Sequence, residues 1–193
     1  VEELRLSEGE GEERLSVQRA QDPETELAEV RTAVLAVKAH HTAETAPWLA
    51  ALRPGTRLIV AQNGVEHRER VEPLVAEGVE IVPAIVYLNV ERTAPGRVIM
   101  RRVGDTDLAL AAGPGADDLA VALGEGGLRT TISSDFGTDA WSKLLTNITG
   151  NPITALTGRR AEVLRDPAIA QLARTLMDEA AVGARAEGAR IDE

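Results

Sequence analysis

The chain has 193 residues, enough for one domain or for one domain and part of a second. Its formal net charge is −10 with no basic run, so nucleic acid and anionic membranes are poor candidates for partners. It has no cysteine, which excludes disulfides and cysteine-ligated zinc and fits a reducing cytoplasm. No apolar run approaches the roughly 20 residues that a membrane span needs, so no membrane association is predicted.

The first half of the chain alternates predicted strands with predicted helices. It opens with strand-like alternation on either side of an acidic turn, at residues 1–6 and 14–19, and a short helical stretch lies near residues 24–30. Two apolar runs of strand length follow, and each precedes a helical pattern. Such runs suit strands buried on both faces of a parallel sheet. The strands are predicted at 33–37 and 58–61, and the helices at 42–52 and 66–76. This order predicts a βαβ arrangement with parallel strands.

The second half changes character. Consecutive strands with Gly/Pro turns are predicted at 79–90, 97–103 and 108–112, before a helix at 117–123 and a last strand at 128–132. The chain is predicted to be helical from Thr138 onward. Asp166-Pro167 is a good N-cap and first-turn signal for the final helix. We therefore expect a domain boundary near Ser134 or Asp135, which divides the chain into residues 1–134 and 135–193.

Polar residues stand at the carboxyl ends of two predicted neighbouring strands. Lys38 ends the first apolar run, and Asn63 follows the second. Ligands bind beyond the carboxyl ends of the strands in open parallel sheets. Each residue also has a plain structural explanation, since Lys38 fits a solvated strand end and Asn63-Gly64 is a turn dipeptide. Their parallel placement favours a binding site.

Lysine is rare in this chain. Lys38 and Lys143 are its only lysines, although lysine and arginine together number 21. A lysine retained in such a sequence is expected where a titratable ammonium is needed, because the pKa of arginine exceeds about 12. Chance survival of two exposed lysines is the alternative.

A polar row is predicted on the first C-terminal helix. Lys143, Asn147 and Asn151 lie at four-residue spacing, and four residues advance ~40° beyond one full turn of an α-helix. Asparagine is a poor residue inside a helix because its amide competes for backbone hydrogen bonds. Two amides and an ammonium can hold a carboxylate and a keto oxygen together. A solvated face with interhelix capping is the alternative.

No metal site is predicted. The three histidines, His40, His41 and His67, lack a matching carboxylate or third ligand at metal-binding spacing.

Four sequence blocks share their order and approximate spacing with one enzyme family. They are Ala36-Val37-Lys38-Ala39, Gln62-Asn63-Gly64-Val65, Pro95-Gly96-Arg97-Val98 and, above all, Trp141-Ser142-Lys143-Leu144 with Asn147 and Asn151-Pro152. Through these blocks the chain resembles the ketopantoate reductase (2-dehydropantoate 2-reductase) family, from about residue 22 to its C-terminus. The resemblance implies an α/β fold: a partial NADP-binding Rossmann-type domain over residues 1–134, then the start of an all-α substrate and dimerisation domain over 135–193.

The resemblance also implies a reaction and roles for the residues. The family reduces 2-dehydropantoate to (R)-pantoate with NADPH, a step of pantothenate and coenzyme A biosynthesis in the cytoplasm. Lys143 is implied as the general acid at the keto oxygen. Asn147 and Asn151 are implied to bind the hydroxyl and carboxylate end of the substrate. Asn63 is implied to lie between cofactor and substrate, and Lys38 to contact the cofactor near the nicotinamide ribose. Members of the family are often homodimers.

The sequence departs from the family pattern at both ends. The glycine-rich loop that cradles the pyrophosphate is absent, as are the first strand and the later serine and glutamate that bind substrate. The chain is therefore expected to be the middle of a longer protein. Two other functions stay open: a related reductase of another 2-keto acid, and a truncated paralogue that binds a ligand or partner without turnover.

Overall fold

The computed structural model describes residues 2–191. Their elements follow one another in this order: β1 (Glu2–Glu8), β2 (Gly11–Val17), α1 (Pro23–Glu26), β3 (Thr32–Leu35), α2 (Ala46–Ala50), β4 (Arg57–Val60), α3 (His67–Val71), β5 (Glu80–Val86), β6 (Asn89–Ala94), β7 (Arg97–Arg101), β8 (Leu108–Ala111), α4 (Ala116–Glu125), β9 (Thr130–Ser133), α5 (Phe136–Thr157) and α6 (Pro167–Ala186). The chain forms two compact units. The second comprises residues 63–65 and the described residues from Ser134 onward, and the first comprises the rest.

A five-stranded sheet in the order β3-β4-β5-β8-β9 forms the centre of the first unit. The strands β3, β4 and β5 are parallel, so the predicted parallel arrangement is confirmed. The strand β8 runs antiparallel to β5, and β9 is parallel to β8. The carboxyl ends of β3 and β4 are therefore neighbours at one edge of this sheet.

Alternate residues of β4 are buried in two separate apolar clusters. Leu58 and Val60 belong to one cluster and Ile59 to the other, as the two-residue period of a strand requires. All three side chains are almost fully buried, so β4 is covered on both faces as predicted. The same prediction is wrong for β3. There Val34 is 56% exposed, because β3 is an edge strand and its second face is open in the described part of the chain.

A second sheet, in the order β2-β1-β7-β6, also lies in the first unit. The predicted N-terminal strands are confirmed as the antiparallel pair β1 and β2. One prediction is wrong here: residues 79–90 form two strands rather than one. The chain leaves the five-stranded sheet after Val86 and enters the four-stranded sheet at Asn89.

A buried ion cluster joins the two sheets. The carboxylate of Asp107, which is 1% exposed, accepts hydrogen bonds from the side chain and main-chain nitrogen of Arg129, just before β9. Arg102, just after β7, also binds this carboxylate and pairs with Glu8 at the end of β1. Asp107 is therefore shared by strands of both sheets.

The two predicted helices of the first half are shorter than expected. Where a helix is predicted at 42–52, a 3-10 helix at Ala39–Thr45 leads into α2. Where one is predicted at 66–76, α3 is followed by a 3-10 helix at Glu72–Leu74. A proline interrupts each pattern, at Pro47 and at Pro73. Proline has no N–H to donate and is best tolerated in the first turn of a helix, so a proline further along tends to break the pattern.

The second unit is helical. Its helices α5 and α6 are joined by a 3-10 helix, Ala161–Arg165. The predicted cap of α6 is confirmed: the Asp166 carboxylate accepts hydrogen bonds from the main-chain nitrogens of Ala168 and Ile169. Within residues 2–191 we find no helix whose length and apolar character would let it cross a bilayer.

Candidate active site

The predicted polar row lies on one continuous helix. Asp135 caps α5 by accepting a hydrogen bond from the main-chain nitrogen of Thr138, and Gly158 ends the helix in the left-handed conformation with φ 63°. Lys143, Asn147 and Asn151 lie within these bounds, so the structure places all three on the same face of α5.

Burial decreases along the row. Lys143 and Asn147 are partly buried, whereas Asn151 is exposed. Burial lowers the pKa of the Lys143 ammonium below its ordinary value, because the charged form loses hydration. This end of the row therefore holds a cation whose proton is released more readily than that of a surface lysine.

The hydroxyl groups of α5 are already engaged within the helix. Ser142, Thr146, Thr149, Thr154 and Thr157 each donate to the carbonyl oxygen four residues earlier. Such bonds satisfy the hydroxyl locally. The hydroxyl protons of these five side chains are therefore not available for donation to a ligand.

Contacts with α6 and its C-terminal extension fix the start of α5. The Nε1 of Trp141 donates to Glu187 at 3.3 Å, and the main-chain nitrogen of Arg190 donates to the Thr138 hydroxyl at 2.9 Å. The Arg190 guanidinium pairs with Asp135 at 2.7 Å. Hydrogen bonding to Thr138, and secondarily the charge of Arg190, lowers the pKa of the Asp135 carboxyl. The part of α5 that precedes Lys143 is therefore bound by hydrogen bonds and an ion pair to the residues that follow α6.

The other two predicted site residues follow neighbouring parallel strands. Lys38 lies three residues after β3 and is exposed, and Asn63 lies three residues after β4 and is also exposed. Lys38 belongs to the first unit, whereas residues 63–65 belong to the second, together with α5.

The sequence patterns did not single out a buried polar cluster between these two strand ends. Gln62, Thr42 and His67 are 5%, 3% and 2% exposed, and their side chains are hydrogen-bonded to one another or to the adjacent main chain. The available signal was a polar residue directly after a predicted buried strand, as Gln62 is after the apolar run at 58–61. Only the tertiary structure reveals its partners, because Thr42 is 20 residues away.

The histidines give no indication of a metal ion. Among the described residues there is no group of three histidine or acidic side chains that could hold one. His41 pairs with Glu44 at 2.7 Å, its ring lies 4.2 Å from that of His40, and His67 is buried in the polar cluster.

Two family models match the chain. The model described as "Ketopantoate reductase PanE/ApbA" matches residues 2–113, and the one described as "Ketopantoate reductase PanE/ApbA C terminal" matches residues 135–193. The matches together cover most of the chain.

Curated relatives carry the name 2-dehydropantoate 2-reductase. One from Mycobacterium tuberculosis (strain ATCC 25618 / H37Rv) is 38% identical over 161 residues, which are 83% of this chain and 53% of the relative. One from Caulobacter vibrioides is 36% identical over 177 residues, 90% of this chain and 59% of the relative. The chain thus spans somewhat more than half the length of these relatives.

Solved structures share the fold. A PanE/ApbA family ketopantoate reductase from Ralstonia eutropha JMP134 superposes with a TM-score of 0.86 at 26% identity, over 98% of this chain and 63% of that one. A ketopantoate reductase from Staphylococcus aureus, described as dimeric, gives a TM-score of 0.83 at 21% identity, over 99% of this chain and 70% of that one. The predicted α/β fold with a following helical region is confirmed by these likenesses.

Proposed function

Because the chain belongs to the ketopantoate reductase family, we propose that the protein containing it reduces 2-dehydropantoate to (R)-pantoate with NADPH. The observation that carries the proposal is the polar row of α5, where a partly buried lysine with a lowered pKa is followed at four-residue spacing by two asparagines. This row supplies one proton donor and two amides, which matches the chemical groups of a hydroxylated 2-keto acid.

Lys143 is the proton donor in this proposal. Its Nζ holds the proton that passes to the keto oxygen as negative charge develops there. Partial burial assists in two ways. It lowers the pKa of the ammonium, so that the proton is released more readily, and it strengthens the attraction between the ammonium and the developing alkoxide. An arginine at this position could not release a proton in the physiological range.

Asn147 and Asn151 bind the rest of the substrate. Each amide offers two N–H donors and one acceptor oxygen, so an asparagine can donate to a carboxylate and accept from a hydroxyl. The row orients the substrate relative to Lys143, and orientation alone contributes several orders of magnitude to rate in well-positioned reactions.

The chain's residues fit the nicotinamide end of the cofactor. Lys38 and Asn63 are both exposed beyond the carboxyl ends of parallel strands, where dinucleotides bind in such sheets. In the proposal Lys38 binds the ribose near the nicotinamide, and Asn63 lies between cofactor and substrate. When bound, the cofactor supplies the hydride, and the protein positions and polarises the keto group.

The same proposal assigns roles to the parts of the chain. Residues 1–134 form part of the NADP-binding domain, and residues 135–193 begin the substrate and dimerisation domain. We propose a homodimer, in keeping with the structural neighbour from Staphylococcus aureus that is described as dimeric. The place in pantothenate biosynthesis follows from the proposed substrate, and the cytoplasmic location stays a prediction.

The test uses the natural gene product that contains this chain. NADPH oxidation with 2-dehydropantoate should be rapid in the wild type, and Lys143→Ala should slow the chemical step by about 10²–10⁴-fold, as expected for loss of a general acid. Thr157→Ala is the matched control, because Thr157 lies at the end of the same helix and its hydroxyl donates only to its own helix at 2.7 Å. It should leave the rate unchanged.

Two results would reject parts of the proposal. Absence of turnover, or turnover of another 2-keto acid that is faster by orders of magnitude, would remove 2-dehydropantoate as the substrate. A Lys143→Ala variant as active as Thr157→Ala would remove Lys143 as the proton donor. NADH in place of NADPH, compared by kcat/KM, tests the cofactor separately.

A further inference from the structure

The side chain of Gln62 connects the two loops that follow β3 and β4. Its Nε2 donates to the carbonyl oxygen of Val37 and to the Thr42 hydroxyl, both at 2.9 Å. Its Oε1 accepts from the Arg70 guanidinium at 3.2 Å. A carbonyl can only accept and a guanidinium can only donate, so these partners fix the orientation of the amide.

The same cluster holds the main chain next to both predicted site residues. The Thr42 hydroxyl donates to the carbonyl oxygen of Ala39 at 2.8 Å, so the carbonyls on either side of Lys38 are both bound by this cluster. His67 donates from Nε2 to the main-chain carbonyl oxygen of Gln62 at 2.8 Å. That carbonyl belongs to the peptide that joins Gln62 to Asn63.

These bonds begin where the backbone ladder between the strands stops. The final main-chain bond between the two segments runs from the nitrogen of Ala61 to the oxygen of Leu35, at 2.9 Å. Beyond this bond, the two segments are connected by the hydrogen bond from the Gln62 side chain to the carbonyl oxygen of Val37. A buried amide is costly to desolvate unless every donor and acceptor is satisfied, and here its hydrogen-bonding groups are satisfied. An apolar side chain would pack at this position without holding the loops.

We propose that Gln62, with Thr42 and His67, is a positioning residue that fixes the loops carrying Lys38 and Asn63 in the geometry needed for cofactor and 2-keto acid. The inference rests on the proposed function for the roles of Lys38 and Asn63. The order that Gln62 imposes on the two loops is a property of the free protein, and it can be measured without any substrate.

The experiment compares two buried threonines. Thr42 and Thr56 are each 3% exposed, and each hydroxyl donates to a main-chain carbonyl, that of Ala39 in one case and that of Val30 in the other. Only Thr42 contacts Gln62. Thr56 lies at the opposite ends of β3 and β4, so Thr56→Val is a matched control for loss of a buried hydroxyl.

Amide hydrogen exchange on the free protein is the first measurement. In Thr42→Val we expect exchange to accelerate several-fold in residues 38–42 and 61–66, including the amide of His41 that donates to Lys38. In Thr56→Val those segments should keep the wild-type rate. Thr42→Ser retains the hydroxyl and should restore slow exchange.

Kinetics is the second measurement. Because sub-ångström to ångström displacements of catalytic groups cost up to about 10²-fold in rate, kcat/KM for the keto acid should fall about tenfold in Thr42→Val and recover in Thr42→Ser. Thr56→Val should keep the wild-type value. If Thr42→Val does not fold, Gln62→Met, which keeps side-chain length without the amide, is measured in both assays with the same expectations.

The outcomes separate this inference from the proposed function. Unchanged exchange in both loops, or equal changes in Thr42→Val and Thr56→Val, would overturn the positioning role. Altered exchange with unaltered kcat/KM would show that the bridge is structural only, and would also overturn it. If the wild type does not turn over 2-dehydropantoate, the proposed function fails, while the exchange data still decide whether Gln62 orders the loops.

Discussion

Replacing Asp107 by alanine is expected to destabilise the first unit by about 3 kcal/mol. The carboxylate is 1% exposed and binds two guanidinium groups, those of Arg102 and Arg129, as well as the main-chain nitrogen of Arg129. Removal of one partner from a buried ion pair costs about 3–5 kcal/mol, because the remaining charge is left uncompensated.

The lower end of that range applies for two structural reasons. The side chains of Arg102 and Arg129 are 24% and 39% exposed, so water can rehydrate part of each guanidinium after the change. Arg102 also keeps its pairing with Glu8. The main-chain nitrogen of Arg129 loses its acceptor, and that loss adds to the cost of the broken ion pairs.

Urea denaturation followed by tryptophan fluorescence measures the loss. Trp48 is in the first unit and Trp141 in the second, and they are the only tryptophans of the chain. A Trp141→Phe background therefore makes Trp48 the reporter of the first unit within these residues. Glu91→Ala is the control. The Glu91–Arg101 distance of 2.8 Å is close to the Asp107–Arg129 distance of 2.7 Å, but both Glu91 and Arg101 side chains are 59% exposed. Glu91→Ala should cost less than about 1 kcal/mol.

A loss of unfolding free energy in Asp107→Ala that is no greater than the loss in Glu91→Ala would contradict this expectation. Such a result would mean that the buried Asp107 ion cluster, which connects the two sheets, stabilises the first unit no more than an exposed ion pair does.

Two other predictions concern the second unit. Since burial lowers the pKa of Lys143 and the protonated form is the proposed donor, kcat/KM should fall as pH rises through that pKa, with the basic limb below the ordinary lysine value of about 10.4. A pH–rate profile measures the pKa of the basic limb, and a pKa at or above the ordinary lysine value contradicts the prediction. The NMR resonances of ¹³Cε-labelled lysine, assigned with Lys143→Arg, give the pKa of Lys143 directly. Asp166→Ala should cost about 1 kcal/mol by removing the N-cap of α6, whereas Asp166→Asn should cost little; equal losses in thermal denaturation would contradict the capping role.

The sequence predicts elements well where a short-range physical rule decides them. The cap at Asp166 follows from the chemistry of one side chain and the main-chain nitrogens two and three residues later. The strand β4 follows from an apolar run that is long enough for a strand and too short for a helix. The four-residue spacing of the row on α5 needs only the geometry of a helix.

Prediction fails where distant residues decide. The split of residues 79–90 between two sheets depends on strands β7 and β8, which pair with β6 and β5, and nothing local marks Val86 as the exit. The exposure of Val34 depends on what lies beside β3, not on its own run of apolar residues. Gln62 looks like a loop residue until Val37 and Thr42, 25 and 20 residues away, supply its partners.

If the polar row on α5 binds the substrate as proposed, the length of the row sets a requirement on that substrate. From Lys143 to Asn151 the helix rises about 12 Å, whereas the keto carbon and carboxylate of a 2-keto acid are bonded neighbours. A minimal 2-keto acid therefore leaves one amide without a partner, and a longer hydroxylated one does not. Asn151 is exposed, so a vacant amide there stays hydrated, and the row alone discriminates far less than the ~10⁴-fold of a dry site. Rejection of shorter keto acids would therefore require that water be excluded from Asn151 when the substrate is bound.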